Sequence, residues 1–233
     1  GVFDFEYELK LSTKPESAMG EQDLWDKAET ALTEALEKTG RAFEVAQGDG
    51  AFYGPKVDFV IRDALGRGWQ LATVQVDFQM PLRFGLEYEG SDGLRHTPVM
   101  VHRAILGSIE RFMAILIEHY AGRFPLWLCP VQAIVLPIAD RHVEFATTAL
   151  DGLRAEGVRA EIDARTESVN KKIRDAQVRK IPLMLTLGDK EMGNGTFAVR
   201  TLDGKVAFGL DGKLFSLRLA DAVRQRKKSF DVS

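Results

Sequence analysis

The chain has one cysteine, no long apolar run and no surplus of basic residues. Its single cysteine, Cys129, excludes an internal disulfide, and the apolar neighbours Leu128 and Pro130 indicate a buried thiol. No stretch approaches the roughly 20 apolar residues that span a bilayer, and the N-terminus lacks the basic-then-apolar order of a signal peptide. We therefore predict a cytoplasmic protein without a membrane segment.

Charge and length narrow the remaining classes of protein. The 31 Lys and Arg residues against 34 Asp and Glu residues give a net charge of −3. No overall basic field attracts nucleic acid, so RNA would have to be bound by a local patch. A hydrophobic content of 45% with 28% charged residues is typical of a globular protein. The 233 residues suffice for two modest domains, each with its own core.

The segment 102–122 has helical spacing. Apolar residues recur at steps of three and four, and 112–117 is apolar on all sides, which predicts a buried helix. On this helix Arg111 has no carboxylate three or four residues away. The spacing alone leaves two interpretations open. Arg111 pairs with a distant carboxylate, or Arg111 and Ser108, beside Gly107, meet a flat polar ligand.

A glycine-rich turn lies in the first half of the chain. Its sequence, QGDGAFYGPK at 47–56, contains three glycines that permit backbone conformations closed to other residues. The turn therefore brings Tyr53 and Lys56 near one spot. Such turns serve structure as well as ligand binding, and the sequence leaves both interpretations open.

Two predicted strands follow this turn. The segments 57–62 and 69–78 alternate apolar and polar residues, and their short link predicts an antiparallel hairpin. The second strand carries Thr73, Gln75 and Asp77 on one face. This polar face is either exposed to solvent or the floor of a pocket.

The pattern changes near residue 126. Predicted strands now alternate with helical segments of crossover length, which indicates a mainly parallel sheet covered by helices. We therefore predict two domains, at residues 1–125 and 126–233. Basic residues cluster around one helix of the second domain and either form a solvated face or contact RNA. They are Arg165, Lys171, Lys172, Arg174, Arg179 and Lys180.

Seven motifs are specific when taken together. Four of them, LSTKPE at 11–16, GDGAFYGPKVDF at 48–59, WQLATVQVDF at 69–78 and PVMVHRAILGSIERF at 98–112, lie in the first domain. The others are WLCPVQ at 127–132, KIRDAQ at 172–177 and KIPLMLTLGDKE at 180–191. Jointly they resemble the threonyl-tRNA synthetases, a family of class II aminoacyl-tRNA synthetases. This resemblance implies an α+β fold: part of the antiparallel class II catalytic sheet with its helices, then a mainly parallel α/β anticodon-binding domain.

The resemblance also implies roles for particular residues. Positions that contact ATP in the family correspond to Lys56, Gln70, Thr73, Ser108 and Arg111. Those around threonine correspond to Tyr53 and Gln75, and catalysis would rest on Arg111, Lys56 and Gln75. In the second domain Glu191, an acceptor, and Arg200, a fork of donors, correspond to anticodon-contacting positions. Thr166 stands where an anticodon-contacting Asn is common in the family.

The set of zinc ligands that the resemblance implies is incomplete in this sequence. His102 corresponds to one of three protein ligands of a zinc ion, which in the family takes the amino group and hydroxyl of threonine. The Cys and the second His of that set are absent, and Cys129 lies in the wrong place to replace the Cys. Mg²⁺ is expected to accompany ATP.

Two functions from different classes follow. The first is a threonine-tRNA ligase that activates threonine with ATP and transfers it to the threonine tRNA, acting as a homodimer. The chain lacks the two N-terminal sequence motifs of the class II catalytic domain, so we expect it to be inactive without an upstream half. The alternative is a non-catalytic synthetase-like module that binds tRNA or a partner. A start at Gly1 rather than Met suggests a trimmed or partial chain.

Overall fold

The computed structural model describes residues 2–232, so the two ends of the predicted domain ranges lie outside the described residues. The chain divides into two units, of which the first ends at His119 and the second begins at Tyr120. None of the helices in the described residues is long and apolar enough to cross a membrane.

The first unit is built on a five-stranded sheet with strand order β2-β1-β3-β4-β7. Its strands pair antiparallel except for β1 and β2, which are parallel. The strands and helices of this unit are β1 Tyr7–Ser12, α1 Gln22–Lys38, β2 Phe43–Ala46, β3 Lys56–Arg62, β4 Gly68–Asp77, α2 Gln79–Arg83, β5 Tyr88–Glu89, β6 Arg95–His96, β7 Met100–Ala104 and α3 Ile109–His119. The predicted hairpin is confirmed as β3 and β4.

One face of this sheet carries the core of the first unit. Leu9 and Leu11 of β1 and Val57 of β3 pack against Leu32 and Leu36 of α1. These positions alternate along each strand and recur at four residues along the helix, as burial against one face requires. The other face of β3 and β4 is left free for polar side chains.

The prediction of a buried helix at 102–122 is wrong about where the helix begins and about how far it is buried. Residues 100–104 form strand β7, which pairs with β4, so His102 lies on a strand. Gly107 adopts a left-handed backbone conformation, with φ of +66°, and α3 begins two residues later. Pairing with the sheet therefore overrides the local helical spacing. Along α3, Ile109 and Met113 are exposed, so the helix is buried on one side only.

The second unit has a five-stranded sheet with strand order β12-β11-β10-β8-β9. Strands β8, β9 and β10 are parallel, as predicted, while β11 and β12 extend the sheet antiparallel. The strands and helices are β8 Ala133–Pro137, α4 Val143–Ala155, β9 Ala160–Ile162, α5 Val169–Val178, β10 Leu183–Leu187, α6 Asp189–Asn194, β11 Thr196–Thr201, β12 Val206–Asp211 and α7 Gly212–Arg224. Short 3-10 turns cover Leu126–Leu128 and Asp140–His142.

Helices cover both faces of this second sheet. Ala133 and Val135 of β8 share a core with α4 and α7, whereas Ile134 and Leu136 pack with α5. Strands buried on both faces read as continuous apolar runs, which explains the sequence of β8. Cys129 is buried, and burial raises the pKa of its thiol to about 11, as expected of a core thiol.

Candidate functional site

The open face of the first sheet gathers the polar residues predicted from the sequence. In the register of the strands Lys56 lies opposite Gln75, and Gln75 lies opposite His102. Directly paired residues of antiparallel strands point to the same face. Thr73 lies on the same face, because it is opposite Asp58, which is two residues from Lys56 along β3. The structure thus brings candidate residues from three strands onto one surface.

Gln70 reaches this face only because β4 contains a bulge. Alternation would place Gln70 on the face opposite Thr73, since the two positions are three residues apart. Phe59 pairs with Ala72 but Val60 pairs with Gln70, so Leu71 is an extra residue in β4. A bulge re-aims the residues on one side of it. The amide of Gln70 consequently donates to the carboxylate of Asp58.

Asp58 is the centre of this polar group, and sequence reasoning did not single it out. Its carboxylate is 5% exposed and accepts hydrogen bonds from Ser12 Oγ at 2.9 Å and Lys56 Nζ at 2.7 Å, besides Gln70. A buried carboxylate with three donors is well satisfied and fixes their positions. Alternation along β3 could have revealed Asp58, because it lies two residues from Lys56.

Another hydrogen bond, between Tyr53 and Gln75, lies beside the polar group around Asp58. Tyr53 Oη donates to Gln75 Oε1 at 2.6 Å, so the glycine-rich turn does bring Tyr53 onto the sheet face. Gly54 permits this approach, since a Cβ on it would lie 1.6 Å from the carbonyl oxygen of Val76. Burial, and then the negative charge of Asp77, raise the pKa of the Tyr53 hydroxyl above its usual value.

Asp77 holds His102 in place. Its side chain is 1% exposed, and its Oδ2 lies 2.8 Å from His102 Nε2 while Oδ1 accepts the backbone N–H groups of Gln79 and Met80. Burial raises the pKa of Asp77, but the hydrogen bonds from Met80, His102 and Gln79 outweigh it and hold this pKa below its usual value. The ionised carboxylate is thus an acceptor for His102 Nε2–H.

With Nε2–H donated to Asp77, a neutral His102 carries its lone pair on Nδ1, the form in which a histidine binds a metal. A zinc site needs at least three protein ligands, however, and residues 2–232 contain no group of three or more His, Cys, Asp or Glu side chains that could hold a metal ion. The donor set of this chain does not by itself fit the implied zinc.

Thr73 carries a hydroxyl without a partner. Its Oγ1 is buried and is the single such side-chain atom, among the described residues, with no hydrogen-bond partner. Leaving a buried hydroxyl unpaired costs about 1–3 kcal/mol. Thr73 lies on the same face as Lys56 and Asp58, so a ligand bound on this face could satisfy it.

Arg111 approaches the same face at the bulge. Its Nη1 donates to the carbonyl oxygen of Gln70 at 2.9 Å, and its guanidinium lies 5.6 Å from the centre of the Trp69 ring. Arg111 is exposed and takes part in no ion pair among the described residues, so it is not a buried arginine paired with a distant carboxylate. Trp69 in turn donates to Asp63 Oδ2 at 2.8 Å. Neither Trp69 nor Asp63 was singled out from the sequence.

Gly107 and Ser108 determine where Arg111 lies relative to the bulge of β4. A Cβ on Gly107 would lie 2.1 Å from the carbonyl oxygen of Leu71, so only glycine lets this loop approach the bulge. The hydroxyl of Ser108 donates to Glu110 and accepts from the backbone N–H of Arg111 at 3.3 Å. Ser108 thereby caps the start of α3, and its hydroxyl lies close to Arg111.

The candidate RNA-contacting residues of the second unit do not form one cluster. Glu191 lies in α6, after the carboxyl end of β10, and its Oε2 accepts the backbone N–H of Gly188 at 3.0 Å. Arg200 lies near the end of β11 and pairs with Met184, close to the start of β10. Because β10 and β11 are antiparallel, Glu191 and Arg200 lie towards opposite ends of the strand pair.

Half of the basic cluster of this unit takes part in ion pairs, namely Arg165, Lys171 and Arg179, the last with Glu161 at 2.7 Å. Arg165 contacts Asp163 and Asp175, each at 2.7 Å, and Lys171 contacts Glu167. Lys172 is buried and donates to the carbonyl oxygen of Pro137. These contacts favour a charge-balanced helix face over a free basic patch.

Comparison with known proteins agrees with this architecture. A family model described as the tRNA synthetase class II core domain (G, H, P, S and T) matches residues 5–120. A second, described as an anticodon binding domain, matches residues 132–214. With the antiparallel sheet of the first unit and the α/β sheet of the second, these matches define a chain of the class II aminoacyl-tRNA synthetases.

Individual relatives show to which family of class II synthetases the chain is similar. The chain is 52% identical over 99% of its length to a threonine–tRNA ligase of Natranaerobius thermophilus and 56% identical over 90% of its length to that of Desulfatibacillum aliphaticivorans. It also resembles the solved RNA binding domain of threonyl-tRNA synthetase from Cryptosporidium parvum, with a TM-score of 0.88 and 38% identity over 99% of this chain. The chain belongs to the threonyl-tRNA synthetase family.

The chain is shorter than these proteins. It spans 35% and 33% of the lengths of the two bacterial ligases and 57% of the Cryptosporidium chain. The similarity therefore concerns about a third of the length of the curated relatives that the chain matches.

Proposed function

We propose that this chain supplies part of the active site and the anticodon-binding domain of a threonine–tRNA ligase. The observation that carries the proposal is the open polar face of the first sheet, where Lys56, Gln70 and Gln75 converge beside the unpaired hydroxyl of Thr73. An antiparallel sheet with one uncovered polar face is suited to bind a polar ligand along that face. We assign residues 1–125 to the catalytic part and 126–233 to tRNA binding.

The reaction has two steps. A carboxylate oxygen of threonine attacks the α-phosphorus of ATP, the bond from that phosphorus to the bridging oxygen breaks, and pyrophosphate leaves. A ribose hydroxyl of the tRNA then attacks the threonyl carbonyl carbon, AMP leaves, and the hydroxyl proton is lost. Mg²⁺ bound with ATP would neutralise phosphate charge. Both steps need charged phosphates to be held in place while charge moves between oxygens.

Residues of this chain would bind and orient ATP. We assign Arg111 to the phosphates, because its guanidinium is exposed and has donors beyond the one used on Gln70. Lys56 adds a positive charge whose position is fixed by Asp58, and Thr73 offers its free hydroxyl. Ser108 lies next to Arg111 at the start of α3.

Threonine would be oriented beside the nucleotide. Tyr53 and Gln75 form a hydrogen-bonded pair on the same face and offer polar atoms to an amino acid. We assign His102 as the one zinc ligand on this chain, held by Asp77. The further ligands would have to come from outside residues 2–232.

A chimera tests this proposal. The matching segment of the Natranaerobius ligase is replaced by this chain, and ATP–pyrophosphate exchange is measured with threonine, serine, proline and glycine. We expect exchange with threonine in preference to proline or glycine. We also propose that the whole ligase is a homodimer and acts in the cytoplasm. Arg111→Lys should lower kcat/KM for ATP by about 10- to 100-fold, since it removes a charge-assisted hydrogen-bonding fork worth about 1.5–3 kcal/mol.

The matched control is Arg103→Lys, the same change at an exposed residue of β7. It should leave exchange unchanged. Loss of exchange in the unsubstituted chimera, with RNA binding retained, would favour the alternative of a non-catalytic tRNA-binding module. Preference for proline or glycine would contradict the threonine assignment.

A further inference from the structure

A buried histidine lies at the strand ends of the second unit. His142, which is 1% exposed, belongs to the short 3-10 turn just before α4. Its Nδ1 accepts the backbone N–H of Ala139 at 3.1 Å, and its Nε2 lies 2.9 Å from Asp189 Oδ1. A backbone N–H can only donate, so Nδ1 is unprotonated and the ring proton is on Nε2. His142 therefore donates to Asp189.

Asp189 is the first residue of α6 and is held from two sides. Arg141 donates to the same carboxylate through Nε at 2.9 Å and Nη2 at 2.7 Å. These bonds from Arg141, and then the bond from His142, hold the pKa of Asp189 far below its usual value. The carboxylate is thus a permanent acceptor that ties the end of β10 to the start of α4, across 47 residues of sequence.

The helix that begins at Asp189 depends on such contacts. It has six residues, too few for an isolated helix to be stable, so its direction is set by what anchors its ends. Glu191 lies two residues beyond Asp189, with Oε2 bound to the N–H of Gly188. Any shift of Asp189 moves Glu191 with it.

We propose that His142 is a positioning residue for RNA base recognition, which orients Glu191 through Asp189. The inference rests on the proposed tRNA-binding function and, within it, on a contact of Glu191 with the anticodon, which the family resemblance implies. Of the two groups that hold Asp189, His142 is the more rigidly placed. Arg141 binds the carboxylate through two hydrogen bonds but from a side chain that is 64% exposed, whereas the His142 side chain is 1% exposed and is itself fixed by the N–H of Ala139.

Two substitutions separate the two hydrogen bonds of the ring. His142→Asn keeps an acceptor near the Nδ1 position for the N–H of Ala139 but is too short to reach Asp189. His142→Gln extends an amide donor towards Asp189 and gives up the acceptor. Arg141→Met is the matched control, because it removes the exposed partner of Asp189 and leaves His142 in place.

The test measures binding of the 233-residue chain to two RNA stem-loops by fluorescence anisotropy at fixed salt. One carries the threonine anticodon, and the other has the same stem with all three anticodon bases changed. We expect His142→Asn to weaken binding of the first RNA by about fivefold to tenfold, the worth of one good hydrogen bond, and to leave the second unchanged. His142→Gln should stay within about twofold on both RNAs, and Arg141→Met should weaken both equally by about twofold.

The outcomes separate the inference from the function it rests on. If the unsubstituted chain does not distinguish the two RNAs, the anticodon assignment fails, and the role of His142 with it. If it does distinguish them and His142→Asn keeps the same ratio, or weakens both RNAs alike with a lower Tm, the positioning role is wrong. Should His142→Asn fail to fold, Asp189→Asn decides by the same ratio, since it weakens the link from the other side.

Discussion

The two units cover their sheets differently. In the second unit β8 is buried along its whole length, because α4 and α7 cover one face of the sheet and α5 covers the other. In the first unit α1 covers one face of the sheet, and the other face carries the polar group around Asp58. Among the largest fully buried side chains of the described residues, Asp77 alone belongs to the first unit, and it is a carboxylate.

This difference determines where each unit can bind a ligand. A sheet covered on both faces offers a ligand only its edges and the ends of its strands, where α/β sheets bind. Glu191, Asp189 and His142 lie at such an end. A sheet covered on one face can use the open face itself, where Lys56 and Gln75 lie. The two candidate sites of this chain thus differ in kind for one physical reason.

The first prediction tests the difference in burial. Leu185→Ala, at a residue of β10 that is fully buried, should lower the free energy of unfolding of the second unit by about 2–5 kcal/mol. Ile109→Ala, at a residue of α3 that is 64% exposed, should change that of the first unit by no more than about 0.5 kcal/mol. Hydrogen exchange in urea, followed on peptides of each unit, measures both. Equal effects would show that Ile109 is buried and that α3 does not expose this face as described.

The second prediction concerns the open face. Asp58→Asn removes the counter-charge of Lys56, whose side chain is largely buried, and should destabilise the first unit by about 1–3 kcal/mol. The control is Asp49→Asn, at an exposed residue of the glycine-rich turn, which should have no measurable effect. Slow-exchanging amides of β3 are the readout. An unchanged exchange rate for Asp58→Asn would mean that this carboxylate does not organise the face.

The third prediction, unlike the first two, is an increase in the free energy of unfolding. Thr73→Val replaces a buried unpaired hydroxyl by a methyl group and should stabilise the first unit by about 0.5–1 kcal/mol. In the chimera it should at the same time raise KM for ATP. Thr73→Ser, which keeps the hydroxyl, is the comparison and should show no gain in stability. A lower Tm for Thr73→Val would show that the hydroxyl already has a partner in the free protein.

The fourth prediction is a dependence of stability on pH. Hydrogen bonds, first from Trp69 and then from Arg67 and Leu65, lower the pKa of Asp63 from 3.8 to about 2. A folded-state pKa below the unfolded one means that Asp63 stabilises the fold fully above pH 4 and less as the pH falls to about 2. Asp63→Asn should therefore be less stable than the unsubstituted chain at pH 7, and the gap should close between pH 4 and pH 2. Acid titration followed by Trp69 fluorescence measures it, and a gap that persists at pH 2 would contradict the assignment.

Local periodicity explains what could be predicted about the open face. Two-residue alternation placed Thr73, Gln75 and Asp77 on one face, and the short link between 57–62 and 69–78 predicted the hairpin. The glycine-rich turn was expected to bring Tyr53 and Lys56 near one spot, and in the structure both lie beside Gln75. Each of these inferences needed only residues close together in the chain.

The sequence by itself therefore determined the alternation of strands, the faces of the hairpin and the α/β character of the second half, because these depend on neighbouring residues. The tertiary structure alone decided three other features. The bulge at Leu71 turned Gln70 onto the polar face, and pairing of β7 with β4 made His102 a strand residue. The bond from His142 to Asp189 joined residues 47 apart in sequence. Register and long-range hydrogen bonds depend on which segments meet, and local spacing carries no information about that.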